Sequence, residues 1–286
     1  MWEEIAIALR QKINPEFTIE KTLSVGGGCI NQAYQIVSNR GKYFIKLNTV
    51  NKMDMFRVEA IALQQMHETN TIKVPQPIHV GTTSHHSYVI LEWLNLGRQS
   101  NQSWHLMGKN LAQLHQAGNI NQFGWDDNNT IGSTPQINHW MDNWADFFAE
   151  QRIGYQLKLA RRKGANFGDS TKIVEAIREK LTPRKPQSSL VHGDLWSGNA
   201  AFMDDGQPII FDPAAYYGDR EVDIAMTELF GGFPSAFYEG YNQQWSLDMG
   251  YGQRKTIYNL YHILNHYNLF GGGYASQAQM MINQII

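Results

Sequence analysis

The sequence has 286 residues, a length that suits one large domain or two lobes better than a single small core. Hydrophobic residues make up 42% of the chain and charged residues 17%, so the protein can bury a sizeable core and is not disordered. The formal net charge of -2 excludes the basic excess that a protein wrapping nucleic acid requires. We therefore expect a globular protein without a nucleic-acid partner.

The cysteine content and the N-terminus bear on the cellular compartment. Cys29 is the single cysteine, so the chain cannot form an internal disulfide or a cysteine-rich zinc site. The first residues lack the basic and apolar regions of a signal peptide, and no apolar run approaches the length of a membrane span. We expect a cytoplasmic protein with no membrane partner.

The first third of the chain predicts a mostly β unit. Apolar residues at helical spacing predict a helix over 2–13, and a second helix over 54–68 has Asp54 as its expected N-cap. Short apolar runs separated by turn signals are typical of strands joined in hairpins. The predicted strands cover 17–25, 33–37, 42–48, 78–82 and 86–92.

The rest of the chain predicts mostly helices, and the pattern changes near residues 92–97. Residues 118–136 predict a long loop, and 190–212 alternate short apolar runs with polar turns. We therefore predict an α+β fold of two lobes, with a small, mostly antiparallel β N-lobe over 1–94 and a larger, mostly helical C-lobe over 95–286. The predicted C-lobe helices cover 103–117, 137–162, 170–181 and most of 221–286.

Three features of the predicted N-lobe suit a nucleotide. Gly26, Gly27 and Gly28 lie between two strands, where glycines let backbone amides approach a phosphate, although an ordinary hairpin turn can have the same sequence. Lys46 lies in an apolar strand and must reach an anion or face solvent. Glu59 lies in the helix over 54–68. A strand lysine paired with a helix glutamate is how kinase-like folds hold the α- and β-phosphates.

Three polar residues of the predicted C-lobe match the needs of phosphoryl transfer. Asp194 precedes Asn199 by five residues on a loop, and Asp212 directly follows the apolar run 209–211. The reaction needs a group that deprotonates the attacking hydroxyl and hard oxygen ligands for Mg²⁺. We assign Asp194 as the base and Asn199 and Asp212 as the metal ligands. Ordinary Asx turns around a hairpin are the alternative.

Longer strings around these residues resemble the fructosamine (ketosamine) kinase family, within the aminoglycoside-phosphotransferase and protein-kinase-like superfamily. The loop 192–199 alone is typical of the superfamily, and Trp196 in this loop, together with the flanking strings, makes the resemblance specific to the family. The resemblance covers nearly the whole chain and implies a two-lobed protein-kinase-like fold. The other matching strings are 26–30, 123–125, 131–136, 212–214, 217–223, 230–233 and 264–271.

The resemblance also implies an activity, which is ATP-dependent phosphorylation of the sugar 3-hydroxyl of ketosamines, the adducts that form when sugars glycate amines. The implied cofactors are ATP and Mg²⁺, and the implied partners are ketosamine small molecules (ribulosamine, erythrulosamine or fructosamine adducts) or glycated proteins. An aminoglycoside or amino alcohol acceptor is the alternative. Lys46 would hold the phosphates and Glu59 would hold Lys46, while Glu92, Trp93 and Leu94 match the hinge that receives adenine through backbone groups.

Two positions depart from the protein-kinase pattern. Trp196 stands where protein kinases have a lysine, two residues after the catalytic Asp194, so the γ-phosphate loses one cationic partner on this loop. The indole could bind substrate by stacking on the sugar, or it could simply pack between the lobes. Pro213 and Ala214 follow Asp212 in place of Phe-Gly, so we do not expect an in/out activation switch.

Three further features of the sequence each allow two interpretations. The stretch between Lys109 and Arg152 holds acidic and aromatic residues and no further Lys or Arg, which suits a cationic amine or a solvated helix face over core aromatics. Asp223 is expected to bond the catalytic-loop backbone, to cap a helix, or both. Cys29 is a candidate redox site, because amides that attract phosphate also favour a thiolate, or it is a small apolar residue beneath the loop.

Overall fold

The structure is a computed structural model that describes residues 1–26, 30–118 and 120–286. The phosphate-binding predictions for Gly27 and Gly28 and the redox prediction for Cys29 fall outside the described residues. Within the described ranges, no helix combines the length and the apolar character needed to cross a lipid bilayer.

A five-stranded antiparallel sheet forms the N-lobe, and it contains each strand that the sequence predicts there. Strand β3 lies at its centre and pairs with β2 on one side and β5 on the other. The spatial order is β1-β2-β3-β5-β4. The strands are β1 (Ile19–Ser24), β2 (Gln32–Ser38), β3 (Gly41–Thr49), β4 (Pro77–Thr82) and β5 (His86–Glu92).

Helices cover this sheet and form most of the C-lobe. Helix α3 begins with a capping box, in which the side chains of Ser100 and Ser103 each accept from the other residue's backbone amide. A π-helical segment, Phe148–Gly154, joins α4 to α5. The helices are α1 (Trp2–Lys12), α2 (Met53–Glu68), α3 (Asn101–Ala117), α4 (Trp144–Phe147), α5 (Tyr155–Arg162), α6 (Ser170–Leu181), α7 (Glu221–Leu229), α8 (Ser235–Gln244), α9 (Tyr251–Phe270) and α10 (Tyr274–Ile285).

The two faces of the sheet pack against different partners. On one face, Ile45 and Leu47 of β3 share a core with Ile5 of α1. On the other face, Leu91 of β5 and apolar residues of α2 belong to a core that continues into the C-lobe helices. Because side chains alternate along a strand, Lys46 points to this second face, towards α2 and the cleft between the lobes.

Two predicted helix starts are wrong. Helix α2 begins at Met53, so Asp54 lies inside its first turn and is not the N-cap. A single 3₁₀ turn leads directly into the helix, and the helix therefore starts without a side-chain cap. The helix predicted from residue 137 begins only at Trp144. There the side chain of Asn143 accepts hydrogen bonds from the amides of Ala145 and Asp146, so Asn143 is the cap that ends the preceding irregular stretch.

The loop predicted over 118–136 contains a hairpin. Strands β6 (Asn129–Ile131) and β7 (Thr134–Gln136) pair antiparallel around Gly132, which has a φ of 61°. A Cβ atom at Gly132 would lie 3.1 Å from the Leu269 side chain and 3.4 Å from that of Ile30. This hairpin therefore touches both α9 of the C-lobe and the end of the glycine-rich segment of the N-lobe.

Short paired strands hold the segments that carry the predicted catalytic residues. Strand β8 (Ser189–Val191) pairs with β11 (Tyr216–Gly218), and β9 (Ala200–Phe202) pairs with β10 (Pro208–Ile210). The loop 192–199 follows β8, and the segment 211–215 connects β10 to β11. The loop 192–199 therefore lies between the paired strands β8 and β9, and the segment 211–215 lies between the paired strands β10 and β11. The lobe boundary at residue 94 stays a prediction.

Candidate active site

Lys46 lies between two carboxylates in the cleft. Its Nζ donates to Glu59 Oε1 at 2.6 Å and also contacts Asp212 Oδ1. Burial alone would lower the pKa of Lys46, but the charges of Glu59 and Asp212 outweigh burial and raise it. The ammonium therefore stays charged, and it brings α2, β3 and the segment after β10 to one point. The predicted lysine–glutamate pair is confirmed.

Asn199 holds the loop 192–199 with a side-chain bond and a backbone bond. Asn199 Nδ2 donates to the backbone oxygen of Asp194 at 2.8 Å, which fixes the five-residue spacing between them. The backbone oxygen of Asn199 accepts from the amide of Phe211 at 3.1 Å, so the loop is also bonded to the residue before Asp212. These two bonds bring Asp194, Asn199 and Asp212 into one site, as the sequence predicts.

The His192 side chain also bonds the loop 192–199 to the residue before Asp212, a role that the sequence analysis did not assign. Its Nδ1 accepts from the amide of Asp194 at 3.3 Å, and its Nε2 donates to the backbone oxygen of Phe211 at 3.0 Å. Burial lowers the pKa of His192, which favours the neutral ring that can accept at one nitrogen and donate at the other. The available signal in the sequence was a histidine, His192, directly before Gly193 and Asp194.

Asp223 bonds the start of the catalytic loop. Its carboxylate accepts from the amide of His192 at 2.7 Å and from the amide of Gly193 at 2.8 Å, and it contacts His115 Nε2 at 3.0 Å. Burial would raise the pKa of Asp223, but the hydrogen bonds from His115 and from the amide of His192 lower it overall. The loop-bonding prediction is confirmed; the N-cap position of α7 is occupied by Arg220 instead.

Asp194 is held in a state suited to proton transfer. Burial raises its pKa to about 7, and the negative charges of Asp212 and Asp223 add to the effect. A general base works best when its pKa lies near the working pH. Asp194 can therefore be ionised at neutral pH and still accept a proton readily.

Asn199 and Asp212 fit a divalent cation that a nucleotide brings with it. The amide nitrogen of Asn199 is used on Asp194, which leaves Asn199 Oδ1 as a possible ligand, and the Asp212 side chain is 48% exposed in the cleft. The described residues hold no group of three His, Cys, Asp or Glu side chains placed around a metal. Mg²⁺ commonly binds through one or two protein oxygens together with phosphate oxygens and water, so this donor set fits it.

The predicted adenine hinge has its side chains occupied elsewhere. Glu92 contacts Lys73 Nζ at 3.3 Å and accepts from the amide of Gln76 at 3.3 Å, and Trp93 Nε1 donates to Asn95 at 3.2 Å. These bonds use the polar side-chain atoms of Glu92 and Trp93, which is compatible with the backbone contact to adenine expected for Glu92, Trp93 and Leu94. Gly26 has open space at its Cβ position among the described residues.

Trp196 projects from the catalytic loop with 39% of its surface exposed. A Cβ atom at Gly198 would lie 2.3 Å from Trp196 Cζ2, so the indole rests directly on that glycine. Packing on its own loop leaves the rest of the ring accessible. This placement suits contact with a substrate better than packing between the lobes.

The acidic side chains between residues 109 and 152 largely pair with arginines of the protein, and the aromatic side chains largely lie in its core. Asp127 pairs with Arg57 at 2.9 Å, and Asp146 and Glu150 each pair with Arg178 at 2.8 Å. Trp125, Trp144, Phe147 and Phe148 are buried in the core. Most of this stretch therefore fits the structural interpretation, a solvated charged face over core aromatics.

A five-stranded sheet over a helical lobe, with a buried Lys–Glu pair and an Asp…Asn…Asp set in the cleft, defines a protein-kinase-like phosphotransferase fold. An aminoglycoside phosphotransferase solved with AMP-PNP and hygromycin B shares this fold at a TM-score of 0.68 and 14% identity, over 99% of this chain and 97% of that one. The sequence model of the fructosamine kinase family matches residues 1–286, and the chain belongs to that family.

Relatives of similar length support this assignment. A probable ketoamine kinase of Synechocystis is 56% identical, covering 100% of this chain and 97% of that one. The chloroplastic protein-ribulosamine 3-kinase of Arabidopsis thaliana is 42% identical, covering 94% and 83%. The crystal structure of a fructosamine-3-kinase candidate from Haemophilus somnus superposes at a TM-score of 0.95 with 36% identity, covering 100% and 98%.

Proposed function

We propose that this protein is a ketosamine 3-kinase, which transfers the γ-phosphoryl group of ATP to the sugar 3-hydroxyl of a ketosamine. The observation that carries the proposal is the complete set of Lys46, Glu59, Asp194, Asn199 and Asp212 in one cleft of a chain that matches its family from end to end. A protein that only bound such adducts would not need all five residues.

Each site residue has a separate role in the proposed reaction. Lys46 holds the α- and β-phosphates and is itself held by Glu59. Asp194 accepts the proton of the attacking hydroxyl as the new P–O bond forms and the bond to the ADP oxygen breaks. Asn199 and Asp212 would hold Mg²⁺, which neutralises charge on the phosphates when it is bound. Trp196 offers an exposed ring face to the sugar.

The proposal includes substrates of two sizes. A free ketosamine needs only the cleft, whereas a glycated lysine on a protein must reach Asp194 from a surface. The side chains of Asp194 and Trp196 lie on a loop at the cleft, and Trp196 is exposed. We therefore include adducts on flexible peptide segments and protein surfaces among the proposed substrates, beside the small molecules.

The test is ATP turnover against a panel of ribulosamine, erythrulosamine and fructosamine derivatives, a glycated peptide and an aminoglycoside. Phosphorus NMR would identify the hydroxyl that receives the phosphate. Asp194→Asn is expected to lower kcat by about 10²–10⁴-fold. Asp204→Asn changes an exposed aspartate nearby in the chain and should leave turnover unchanged. Preferred turnover of the aminoglycoside, or a phosphate on another hydroxyl, would contradict the proposal.

A further inference from the structure

A cluster of three buried amide side chains lies in the C-lobe, outside the motifs that define the site. Asn129, Gln136 and Asn138 are 7%, 1% and 0% exposed, and we call them the amide cluster. Asn129 Oδ1 accepts from Gln136 Nε2 at 2.8 Å and from Asn138 Nδ2 at 2.9 Å. The cluster comes from β6, β7 and the residues that follow, which is the hairpin segment that the sequence did not predict.

The amide cluster holds the backbone just after Asp212. Gln136 Nε2 also donates to the backbone oxygen of Ala214 at 2.9 Å, and Asn129 Nδ2 donates to that of Ala215 at 2.8 Å. The amide of Ala214 donates in turn to the backbone oxygen of His192 at 2.9 Å. Residues 214 and 215 are therefore fixed between the cluster on one side and the catalytic loop on the other.

Arg152 fixes the direction of the bonds in the cluster. Arg152 is fully buried and can only donate, and its Nη2 donates to Asn138 Oδ1 at 2.7 Å. The Asn138 amide nitrogen must then face Asn129 Oδ1, which turns the Asn129 nitrogen towards Ala215. The Gln136 nitrogen must face Asn129 Oδ1 and the backbone oxygen of Ala214, because both can only accept, and this leaves Gln136 Oε1 to accept from the Tyr261 hydroxyl at 2.6 Å. The chain of bonds has one consistent orientation.

Asp212 needs such support because of its backbone conformation. Its φ of 58° lies in the left-handed region, which a residue other than glycine rarely adopts. Such a conformation persists only where the surroundings enforce it. Phe211 is held before Asp212 by His192 and Asn199, and Ala214 and Ala215 are held after it by the amide cluster.

We propose that Gln136 and Asn129 are positioning residues that set the Asp212 carboxylate at the active site through the backbone of Ala214 and Ala215. This inference rests on the proposed function for its kinetic consequence, but the placement of the segment can be measured without any reaction. Gln136 is the better probe, because its nitrogen bridges Asn129 and Ala214 while its oxygen receives Tyr261.

The experiment compares Gln136→Met with Gln156→Met in the full-length protein. Both glutamines are almost completely buried in the C-lobe, but Gln156 bonds Asn265 and Asn268 and has no bond to residues 211–215. Hydrogen exchange of peptides spanning 211–216 is read in the substrate-free protein. Steady-state kinetics give kcat and the KM for ATP.

We expect Gln136→Met to speed exchange in 211–216 by about tenfold or more and to lower kcat by about 10–100-fold. The KM for ATP should change by less than about threefold, because Lys46 and the hinge are untouched. Gln156→Met should change neither exchange in 211–216 nor kcat. Unchanged exchange or unchanged kcat in Gln136→Met, or equal effects in both variants, would overturn the proposal.

Tyr261→Phe is the second variant if Gln136→Met does not fold. It removes only the hydroxyl that donates to Gln136 Oε1 and leaves this buried oxygen without that bond, so exchange in 211–216 should rise by about threefold to tenfold. No rise in this variant would overturn the inference. A wild-type protein without ketosamine kinase activity would count against the proposed function alone, because the exchange comparison would still decide whether the cluster holds the segment.

Discussion

The contact between Gly193 and Ala214 gives a prediction whose size follows from the structure. Gly193 lies one residue before Asp194 with a φ of 79°, and a Cβ atom placed there would be 2.2 Å from the backbone oxygen of Ala214. Ordinary contacts begin at 3.4 Å, so Gly193→Ala must separate the two segments by roughly 1 Å. A backbone oxygen cannot turn aside as a flexible side chain can.

That displacement acts on both sides of the site. The loop 192–199 carries Asp194, the proposed base, and the segment with Ala214 follows Asp212, a proposed metal ligand, so a shift changes the distance between these two carboxylates. A misplacement of about 1 Å at a reacting group can lower turnover by about 10²-fold. We expect Gly193→Ala to lower kcat by about that factor. The left-handed backbone adds about 1–2 kcal/mol of lost stability.

Gly164→Ala is the matched control. Gly164 has a φ of 87° and no atom within 4 Å of its Cβ position, so the substitution has the same conformational cost without the contact. Gly164→Ala should lose about 1–2 kcal/mol in the free energy of unfolding, measured by urea denaturation. Gly193→Ala should lose about 1–3 kcal/mol more, because its Cβ atom also displaces the backbone of Ala214. Only Gly193→Ala should lose turnover. A Gly193→Ala enzyme within about threefold of wild-type kcat, or an equal loss in Gly164→Ala, would refute the reasoning.

Three other predictions concern the charged groups. Glu59→Gln should lower kcat/KM for ATP by about 10–100-fold, the equivalent of one charged hydrogen bond to Lys46, while Glu68→Gln on the same helix should have no effect in the same assay. Arg184→Gln removes the cationic partner of the fully buried Asp219, which keeps hydrogen bonds from Tyr258 and from the amide of Glu221, and it should lower the free energy of unfolding by about 3–5 kcal/mol. Arg178→Gln removes surface pairs and should change the free energy of unfolding by about 1 kcal/mol or less. Burial raises the pKa of Asp194 to about 7 in the folded protein, so folding binds a proton between about pH 4 and 7 and the stability of the wild type falls as pH rises through that interval. Asp194→Asn removes this loss, so the stability of the variant relative to wild type, measured in metal-free buffer, should be greater at about pH 8 than at about pH 5. An equal difference at the two pH values would contradict the raised pKa.

Much of the fold could be predicted from local patterns. The N-lobe strands and helices α1, α2, α3 and α6 follow from apolar periodicity, because each buries one face against a neighbour. The predicted helix over 137–162 failed at its start because its apolar residues continue upstream of the true cap, Asn143. The sequence Asn143-Trp144-Ala145-Asp146 carried a cap signal that periodicity concealed.

The β6–β7 hairpin was missed for a related reason. Its strands have three residues each, too few for an alternating pattern to stand out. The pair Gly132-Ser133, between the β-branched residues Ile131 and Thr134, was the local turn signal. What stabilises the hairpin lies elsewhere in the chain, since Asn129 bonds Ala215 and Gln136 bonds Ala214 and Tyr261.

The separation in sequence between bonded residues decides which parts of the active site are predictable. The bond from Asn199 to Asp194 spans five residues, so its spacing appears as a motif that can be recognised in one chain. The bond from Gln136 to Ala214 spans 78 residues, and no local pattern connects a buried glutamine to a particular carbonyl at that distance. The sequence therefore predicts the residues proposed for the chemistry and the loop-bonding Asp223, whereas the supporting roles of His192, Asn129 and Gln136 emerge only from the fold. Breaking a hydrogen bond to a buried amide leaves an unpaired polar group, and the free-energy cost is the same whether the partner is near or far in the sequence. The distant bonds therefore constrain the site as strongly as the local ones.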